Sequence, residues 1–325
     1  MPDLSAVRLY VTSYAIVNLD KITYAGNLKN VKDFENESRY SMVQGSICDK
    51  ELVCKILDEY QPIGVINLAA ETHVDRSIQN AEEFINTNII GTYSILESCR
   101  DYVEKAKLAN RFKFIHVSTD EVFGDLSNDC PAFTESNRYI PSSPYSASKA
   151  SSDHLVRAWH RTYNFPSIIT NCSNNYGAYQ HSEKLIPTII FNALKGNKIP
   201  IYGSGNQIRD WLYVEDHAKA LLKIFESGNV GESYNIGGNC EMTNLEVVSQ
   251  VCSQLQNKFP EHSSFSALIT HIKDRAGHDQ RYAVNASKMF EQLGWHPCES
   301  FESGISKTVD WYVDYFKNNY VDIEL

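Results

Sequence analysis

Short apolar runs and amphipathic stretches alternate along the first half of this chain. Ala15-Ile16-Val17-Asn18-Leu19 ends in Asp20, and Gly64-Val65-Ile66-Asn67-Leu68 ends in Ala69-Ala70. Phe114-Ile115-His116-Val117 ends in Ser118-Thr119, and Ser167-Ile168-Ile169-Thr170 leads to Asn171. Runs this short and this apolar predict strands buried on both faces. Between them, apolar positions at helical spacing predict helices over 49–60, 81–103 and 144–163. Strand–helix–strand alternation predicts an α/β fold: a doubly wound parallel sheet covered by helices, with ligands beyond the C-terminal strand ends. Every polar residue that follows an apolar run above falls there.

After about residue 175 the pattern loosens. Helices near 183–196, 215–227 and 243–257 are separated by short strands and turns such as Tyr202-Gly203-Ser204-Gly205. The chain therefore reads as two units. Residues 1–175 carry the sheet, and 176–325 form a smaller α/β unit that closes over the strand ends and returns some elements to the first. A last helix over 301–316 carries apolar residues at helical spacing and reads as core.

Composition narrows the class. The 325 residues are 42% hydrophobic and 22% charged, which suits a globular protein with ample core. A net charge of -10 argues against a nucleic-acid partner, which needs a basic face. No apolar run approaches the ~18 residues of a membrane span, and no secretory pattern opens the chain. The 8 cysteines are scattered without a Cys-x-x-Cys pair, so free thiols in a reducing cytoplasm are expected, with no metal site.

Two strings carry candidate chemistry. Ser118-Thr119-Asp120-Glu121 sets two carboxyl groups side by side at a strand end. Tyr145-Ser146-Ala147-Ser148-Lys149 sets a phenol and an ammonium on one face of a helix. A Lys so placed lowers a Tyr pKa, and the Tyr can then take a hydroxyl proton. Neither string decides alone. Tyr-x-x-x-Lys occurs about once by chance in a chain with 19 Tyr, and Thr119-Asp120-Glu121 is also what a strand end followed by a helix cap looks like.

The order of further strings decides. Asp20-Lys21-Ile22-Thr23-Tyr24-Ala25-Gly26-Asn27-Leu28, Leu68-Ala69-Ala70-Glu71-Thr72-His73-Val74-Asp75-Arg76-Ser77, and Ser118 to Gly124 follow one another. Then come Glu183-Lys184-Leu185-Ile186-Pro187, Pro200-Ile201-Tyr202-Gly203, Gln207-Ile208-Arg209-Asp210-Trp211, and Asp274-Arg275-Ala276-Gly277-His278-Asp279. From about residue 15 to 315 the chain resembles the extended short-chain dehydrogenases/reductases, and within them the nucleotide-sugar 4,6-dehydratases. The resemblance implies a Rossmann-like first domain and NAD as cofactor. The implied reaction turns dTDP-glucose into dTDP-4-dehydro-6-deoxyglucose; a UDP-sugar dehydratase, epimerase or decarboxylase of the same family is the alternative.

By the same resemblance Thr119, Asp120, Glu121, Tyr145 and Lys149 are catalytic. Tyr145 accepts the O4 proton, Lys149 holds the ribose, Glu121 removes the C5 proton and Asp120 protonates the departing C6 hydroxyl. A like-charged neighbour and burial would keep Asp120 protonated. The cofactor would meet Asp20, Lys21, Ile22, Thr23, Ser46, Ile47, Leu68, Ala69, Ala70, Glu71, Thr87 and Asn175 beside Tyr145 and Lys149. Ser46 stands where the family usually has Asp. The substrate would meet Thr72, Thr119, Asn174, Lys184, Leu185, Pro200, Ile201, Tyr202, Arg209, Asn244, Asp274, Arg275 and His278. Lys184, Arg209 and Arg275 are the cations a pyrophosphate needs, and Tyr202 could stack on a base; surface ion pairs and a core aromatic are the plainer readings.

One part of the pattern is missing. Asp20 follows only 19 residues, whereas a strand, a Gly-rich turn and a helix before it need about 30. The first glycine is Gly26, and Ser5-Ala6-Val7-Arg8 looks like the start of the first helix. The expectation is a shortened reading of a working enzyme; the alternative is a silent homologue that binds NAD poorly. Finally, the family pairs the helices over 81–103 and 143–163 with their copies in a four-helix bundle. Ile85, Ile89, Tyr93 and Leu96, with Leu155, Ala158 and Trp159, are the expected homodimer stripes.

Overall fold

The computed structural model describes residues 14–319. In chain order the elements are β1 (Ile16–Asp20), β2 (Tyr40–Gln44), α1 (Lys50–Tyr60), β3 (Gly64–Asn67), α2 (Val74–Gln79) and α3 (Glu82–Phe84). A π-helical turn, Ile85–Ile90, joins α3 to α4 (Gly91–Ala106). Then follow β4 (Lys113–Thr119), a 3-10 turn Asp120–Phe123, α5 (Pro144–Tyr163), β5 (Ser167–Cys172) and β6 (Asn174–Tyr176). The second half holds α6 (Leu185–Leu194), β7 (Ile199–Tyr202), β8 (Ile208–Tyr213), α7 (Val214–Ser227), β9 (Ser233–Ile236) and β10 (Glu241–Thr243). It ends with α8 (Asn244–Lys258), β11 (Ile269–Ile272), α9 (Ser287–Leu293) and α10 (Phe301–Asn319).

The main sheet is parallel throughout, in the order β3-β4-β5-β9, with Ile115 opposite both Ile66 and Ile168. β1 and β2 form a separate parallel pair. A doubly wound sheet places another strand between two such pieces. None stands there among the described residues, and Ser5-Ala6-Val7-Arg8, read as the start of the first helix, lies outside them. Smaller sheets β10-β8-β6 and β11-β7 flank the C-terminal helices.

Why the helices sit where they do is local. Asp49 caps α1 by accepting from the Leu52 N–H. Ser143 and Ser146 form a reciprocal cap on α5, with Pro144 in its first turn, so the backbone donors there are satisfied before the chemistry-bearing residues begin. One apolar cluster packs α1, α4 and α5 on β4 and β5 through Leu96, Phe114, Val156 and Ile169. Another joins α6, α8 and α10 through Ile190, Val251 and Val309.

Three expectations change. The helix expected over 81–103 is interrupted by the π turn, which adds a residue to its register. Leu96, expected on the dimer stripe, is fully buried and packs in the core of α1, α4 and β4 instead. Not every strand is buried on both faces: β4 and β5 are almost wholly buried, but β1 is half-buried along its length.

Candidate active site

β4 delivers Thr119 at its C-terminal end, and the chain turns at once into the 3-10 segment Asp120–Phe123. The Thr119 hydroxyl accepts from the Glu121 N–H (3.3 Å) and donates to Asp120 Oδ1 (3.1 Å). The turn closes at Gly124, whose φ of 88° and contact with the Ile140 carbonyl leave no room for a Cβ. From the facing side, the first turn of α5 presents Tyr145, held by its N–H to Ser77 Oγ (3.2 Å) and by an edge contact with Phe84. Lys149 follows one turn later and donates to the Val117 carbonyl at 2.8 Å.

A cleft of about 90 Å³ opens between these elements. Thr72, Thr119, Asp120, Glu121, Tyr145, Asn174, Asn175 and Lys184 line it, as the sequence suggested. Cys172, Ser173 and Gln180 line it too, and nothing in the motifs pointed to them. A larger cleft of about 490 Å³ runs beside His154, Arg157 and Arg161 on α5, but no candidate catalytic residue faces it.

The two carboxyl groups differ in surroundings. Burial, then the neighbouring Glu121, then Asp210 push the Asp120 pKa well up. One Asp120 oxygen, Oδ2, is buried with no partner among the described residues, which suits a hydroxyl donor or acceptor in the cleft. Glu121 is also raised by burial, but Arg275, Arg209 and Lys184 pull it back. Both carboxyl groups are therefore raised, but unequally: acidic neighbours add to burial at Asp120, while three cations oppose it at Glu121, an inequality that suits one acid and one base.

Tyr145 departs from expectation. Burial and Glu121 raise its pKa well above the ordinary value, and the Thr119 hydroxyl counters them through a hydrogen bond. Lys149 itself is brought down by burial to about 8, with Asp153 opposing. Its ammonium is bonded to a backbone carbonyl, so the expected lowering of Tyr145 by Lys149 is not what dominates here.

Along the expected cofactor path, Asp20 ends β1 and accepts from the Ile22 N–H at 2.7 Å, with Ile22 at a φ of 51°. Lys21 is exposed and Thr23 half-buried. Ser46 accepts from the Cys48 N–H (3.1 Å). The Ile47 side chain is buried in the core, leaving only its backbone for a ligand. Leu68 and Ala69 pack on the cores, while Ala70 and Glu71 stay half-buried above β3. Thr87 is half-buried on the π turn. The Asn175 side chain is engaged internally, accepting from His217 Nδ1 (2.9 Å) and donating to the Ser173 carbonyl (3.0 Å). The residues present therefore suit the two ends of a dinucleotide: a carboxylate at the β1 end for a ribose, and Tyr145 with Lys149 where the reacting ring would lie.

On the substrate side, Lys184 Nζ donates to the Thr72 carbonyl at 3.1 Å. Leu185 packs on the C-terminal core and Pro200 is half-buried. Ile201 is 1% exposed and points into that core, because strand side chains alternate and Tyr202 takes the outer face. Tyr202 donates to Asp75 Oδ2 (3.2 Å) and meets His278 edge-on. His278 Nδ1 lies 2.6 Å from Asp274 Oδ1. Arg209 is buried, its guanidinium stacked 4.3 Å from the Tyr282 ring and donating to the Asp279 carbonyl. Arg275 Nε is buried without a partner among the described residues, and Asn244 opens α8.

Asn88 was missed. Fully buried on the π turn, it accepts from the Glu71 N–H (2.8 Å), donates to the Glu71 carbonyl (3.0 Å) and donates to Ser148 Oγ (2.8 Å). It ties the loop after β3 to α5. The one sequence signal was an amide inside an otherwise apolar helical stripe.

A profile described as GDP-mannose 4,6 dehydratase matches residues 6–308. A dTDP-glucose 4,6-dehydratase of Salmonella typhimurium is 54% identical over 312 residues, covering 93% of this chain and 86% of the relative. That of Haemophilus influenzae is 52% identical, covering 95% and 94%. Among solved structures, DesIV, the dTDP-glucose 4,6-dehydratase of Streptomyces venezuelae with NAD and TYD bound, superposes with a TM-score of 0.87 at 38% identity, covering 97% and 92%. With the fold, the Thr119-Asp120-Glu121 turn and Tyr145-x-x-x-Lys149 in place, these matches show that the chain belongs to the dTDP-glucose 4,6-dehydratases of the GDP-mannose 4,6 dehydratase family.

Proposed function

We propose that this chain is an NAD-dependent lyase that dehydrates dTDP-glucose to dTDP-4-dehydro-6-deoxyglucose. The observation that carries the reading is the unequal carboxyl pair at the β4 end, facing Tyr145 across one cleft. Bound NAD would supply the hydride chemistry, oxidation at sugar C4 and reduction at C6. Asp20, Ala69, Ala70, Thr87, Tyr145 and Lys149 would hold it. Tyr145 receives the O4 proton; burial keeps its phenol protonated in the structure as it stands, so this step needs positive charge near the ring. The 4-keto group makes the C5 hydrogen acidic, and Glu121 removes it. Asp120, held as the acid, gives its proton to the C6 hydroxyl, which leaves as water. Thr119 orients the pair from its hydrogen bond to Asp120.

Arg275, Arg209 and Lys184 supply the positive edge that draws a pyrophosphate toward Glu121's side of the cleft. Incubation with NAD and dTDP-glucose should give the alkali-induced absorbance of a 4-keto product, with UDP-glucose as the comparison sugar. A chain that binds NAD and forms no such product would overturn the reading.

The reading extends to domains, assembly and place. Residues 1–175 serve the cofactor and 176–325 mainly the substrate, supported by the separate apolar clusters of the two halves. The chain pairs with a second copy through α4 and α5. Supporting this, Ile85, Ile90, Tyr93 and Tyr163 are exposed large apolar residues, and Trp159 bridges Tyr93 and Tyr163 by edge contacts of 6.0 and 5.6 Å. Light scattering giving a mass near the 36.9 kDa of one chain would refute the dimer. Eight free cysteines suit the cytoplasm, and no helix among the described residues is long and apolar enough to cross a membrane.

A further inference from the structure

Behind Lys149 lies a buried polar group that the proposed chemistry does not use. Asp153 stands one turn further along α5 and is 0% exposed, as is His116 on β4. Lys149 itself is 1% exposed. A buried ammonium and a buried carboxylate on one helix face are each costly unless compensated. They make no direct ion pair. The His116 imidazole stands between them, with Nε2 3.5 Å from Lys149 Nζ and 3.4 Å from Asp153 Oδ1.

The surrounding hydrogen bonds fix the role of the ring. The Asn67 amide nitrogen lies 3.3 Å from His116 Nδ1; with that amide donating, Nδ1 accepts and the proton falls on Nε2. Nε2–H then faces Ser152 Oγ (3.1 Å), whose own hydroxyl donates to the Lys149 carbonyl (2.7 Å), and Asp153 Oδ1. An imidazole that donates at Nε2 cannot accept from Lys149, which turns instead to the Val117 carbonyl at 2.8 Å. Burial and the Lys149 charge bring His116 down to about 4, so the ring is neutral. Burial raises Asp153, but His116, Lys149 and Ser118 outweigh it and keep it a carboxylate. Its other oxygen takes the Asn171 amide at 3.4 Å, and the same amide reaches the Thr119 carbonyl at 3.2 Å. The network therefore touches both catalytic strings.

We propose that Asp153 and His116 are positioning residues for Lys149: the carboxylate, acting across the neutral imidazole, keeps the buried ammonium charged and seated on the Val117 carbonyl. The ring is a spacer of fixed tautomer. It keeps the opposite charges from collapsing into a direct pair that would draw the ammonium away from the cofactor side. The titratable groups facing Lys149 are Asp153 and Tyr145 on α5, His116 on β4 and Cys172 on β5; of these only Asp153 carries a charge that favours the ammonium at neutral pH. The proposal rests on Lys149 serving the cofactor, as proposed above.

The test uses the full chain without ligand. Carbon-13 NMR of labelled lysine side chains, with Lys149 identified by its loss in Lys149→Met, should show a midpoint near 8. Asp153→Asn, isosteric and neutral, should lower that midpoint by about one pH unit or more. Long-range nitrogen–proton spectra should show the wild-type His116 proton on Nε2. In turnover, Asp153→Asn should move the alkaline limb down by the same interval, about a tenfold loss above it, with a melting temperature near that of the wild type. An unchanged Lys149 midpoint in Asp153→Asn, or a wild-type proton on Nδ1, overturns the proposal. Should Asp153→Asn not fold, the wild-type tautomer and midpoint still decide. A chain without dehydratase activity would sink the functional reading, while the spectra would judge this one separately.

Discussion

Strands β4 and β1 each end in a carboxyl residue that the sequence singled out, Asp120 after β4 and Asp20 in β1, yet they sit in different surroundings. Apart from Lys113, every residue of β4 is buried, with β3 on one side and β5 on the other. β1 is half-buried at every position and pairs with β2. The consequence is chemical. At the β4 end, burial and acidic neighbours push a carboxyl group toward its protonated form, which suits acid catalysis. At the β1 end the carboxylate keeps access to water and takes a local backbone N–H, which suits holding a ribose rather than moving protons. A dry end suits proton transfer, and a half-wet end suits holding a ligand.

The largest break in this comparison should come from Glu121→Gln at the dry end. Removing a positioned base should cost on the order of 10² to 10⁴ in turnover, followed by the 4-keto absorbance. Unchanged turnover would refute the base assignment. Next come two matched truncations. Ile115→Ala in β4, at a fully buried site, should destabilise by about 2–5 kcal/mol in urea unfolding. Ile16→Ala in the half-buried β1 should cost about half of that or less. Equal losses would mean that the two strands are packed alike in solution.

Smaller still is Asp20→Asn. Losing one charged hydrogen bond should weaken NAD binding roughly tenfold, by calorimetry, with turnover at saturating NAD little changed. A separate test concerns pH. Burial holds His116 at about 4 and His217 at about 3, below the ordinary histidine value of about 6.5. The unfolded chain therefore binds these protons first. Stability should be fully present above about pH 6.5 and fall as pH drops toward 4 and 3. A melting temperature flat from pH 7 to 4 would count against neutral buried imidazoles.

What could be read from the sequence follows the same division. β4, β5 and α5 were legible because their signals are local: an unbroken apolar run, or a cap followed by helical spacing. Thr119, Asp120, Glu121 and Tyr145 could be singled out because each stands at or just past the end of such an element, and Lys149 because it follows Tyr145 by one helical turn. β2 was not, since Tyr40-Ser41-Met42-Val43-Gln44 is neither continuous nor strictly alternating. Ile201 was placed with the ligand although alternation in β7 sends it inward, opposite to Tyr202. Asn88 and the His116–Asp153 pair escaped because their partners lie 17 to 60 and 37 positions away, and no spacing rule reaches across a fold.

The π turn over Ile85–Ile90 makes this helix out of phase with itself. One surplus residue advances the helical angle by about 100°, so the two sides of the turn count from different origins. That offset is what lets Asn88 point inward to Glu71 and Ser148 while Ile85 and Ile90 remain outside. Deleting a single residue within 85–90 would leave an ordinary helix of better hydrogen bonding. It would also swing α3 around the axis and take Asn88 away from the Glu71 loop that it anchors. In this fold a more regular helix would be a less useful one.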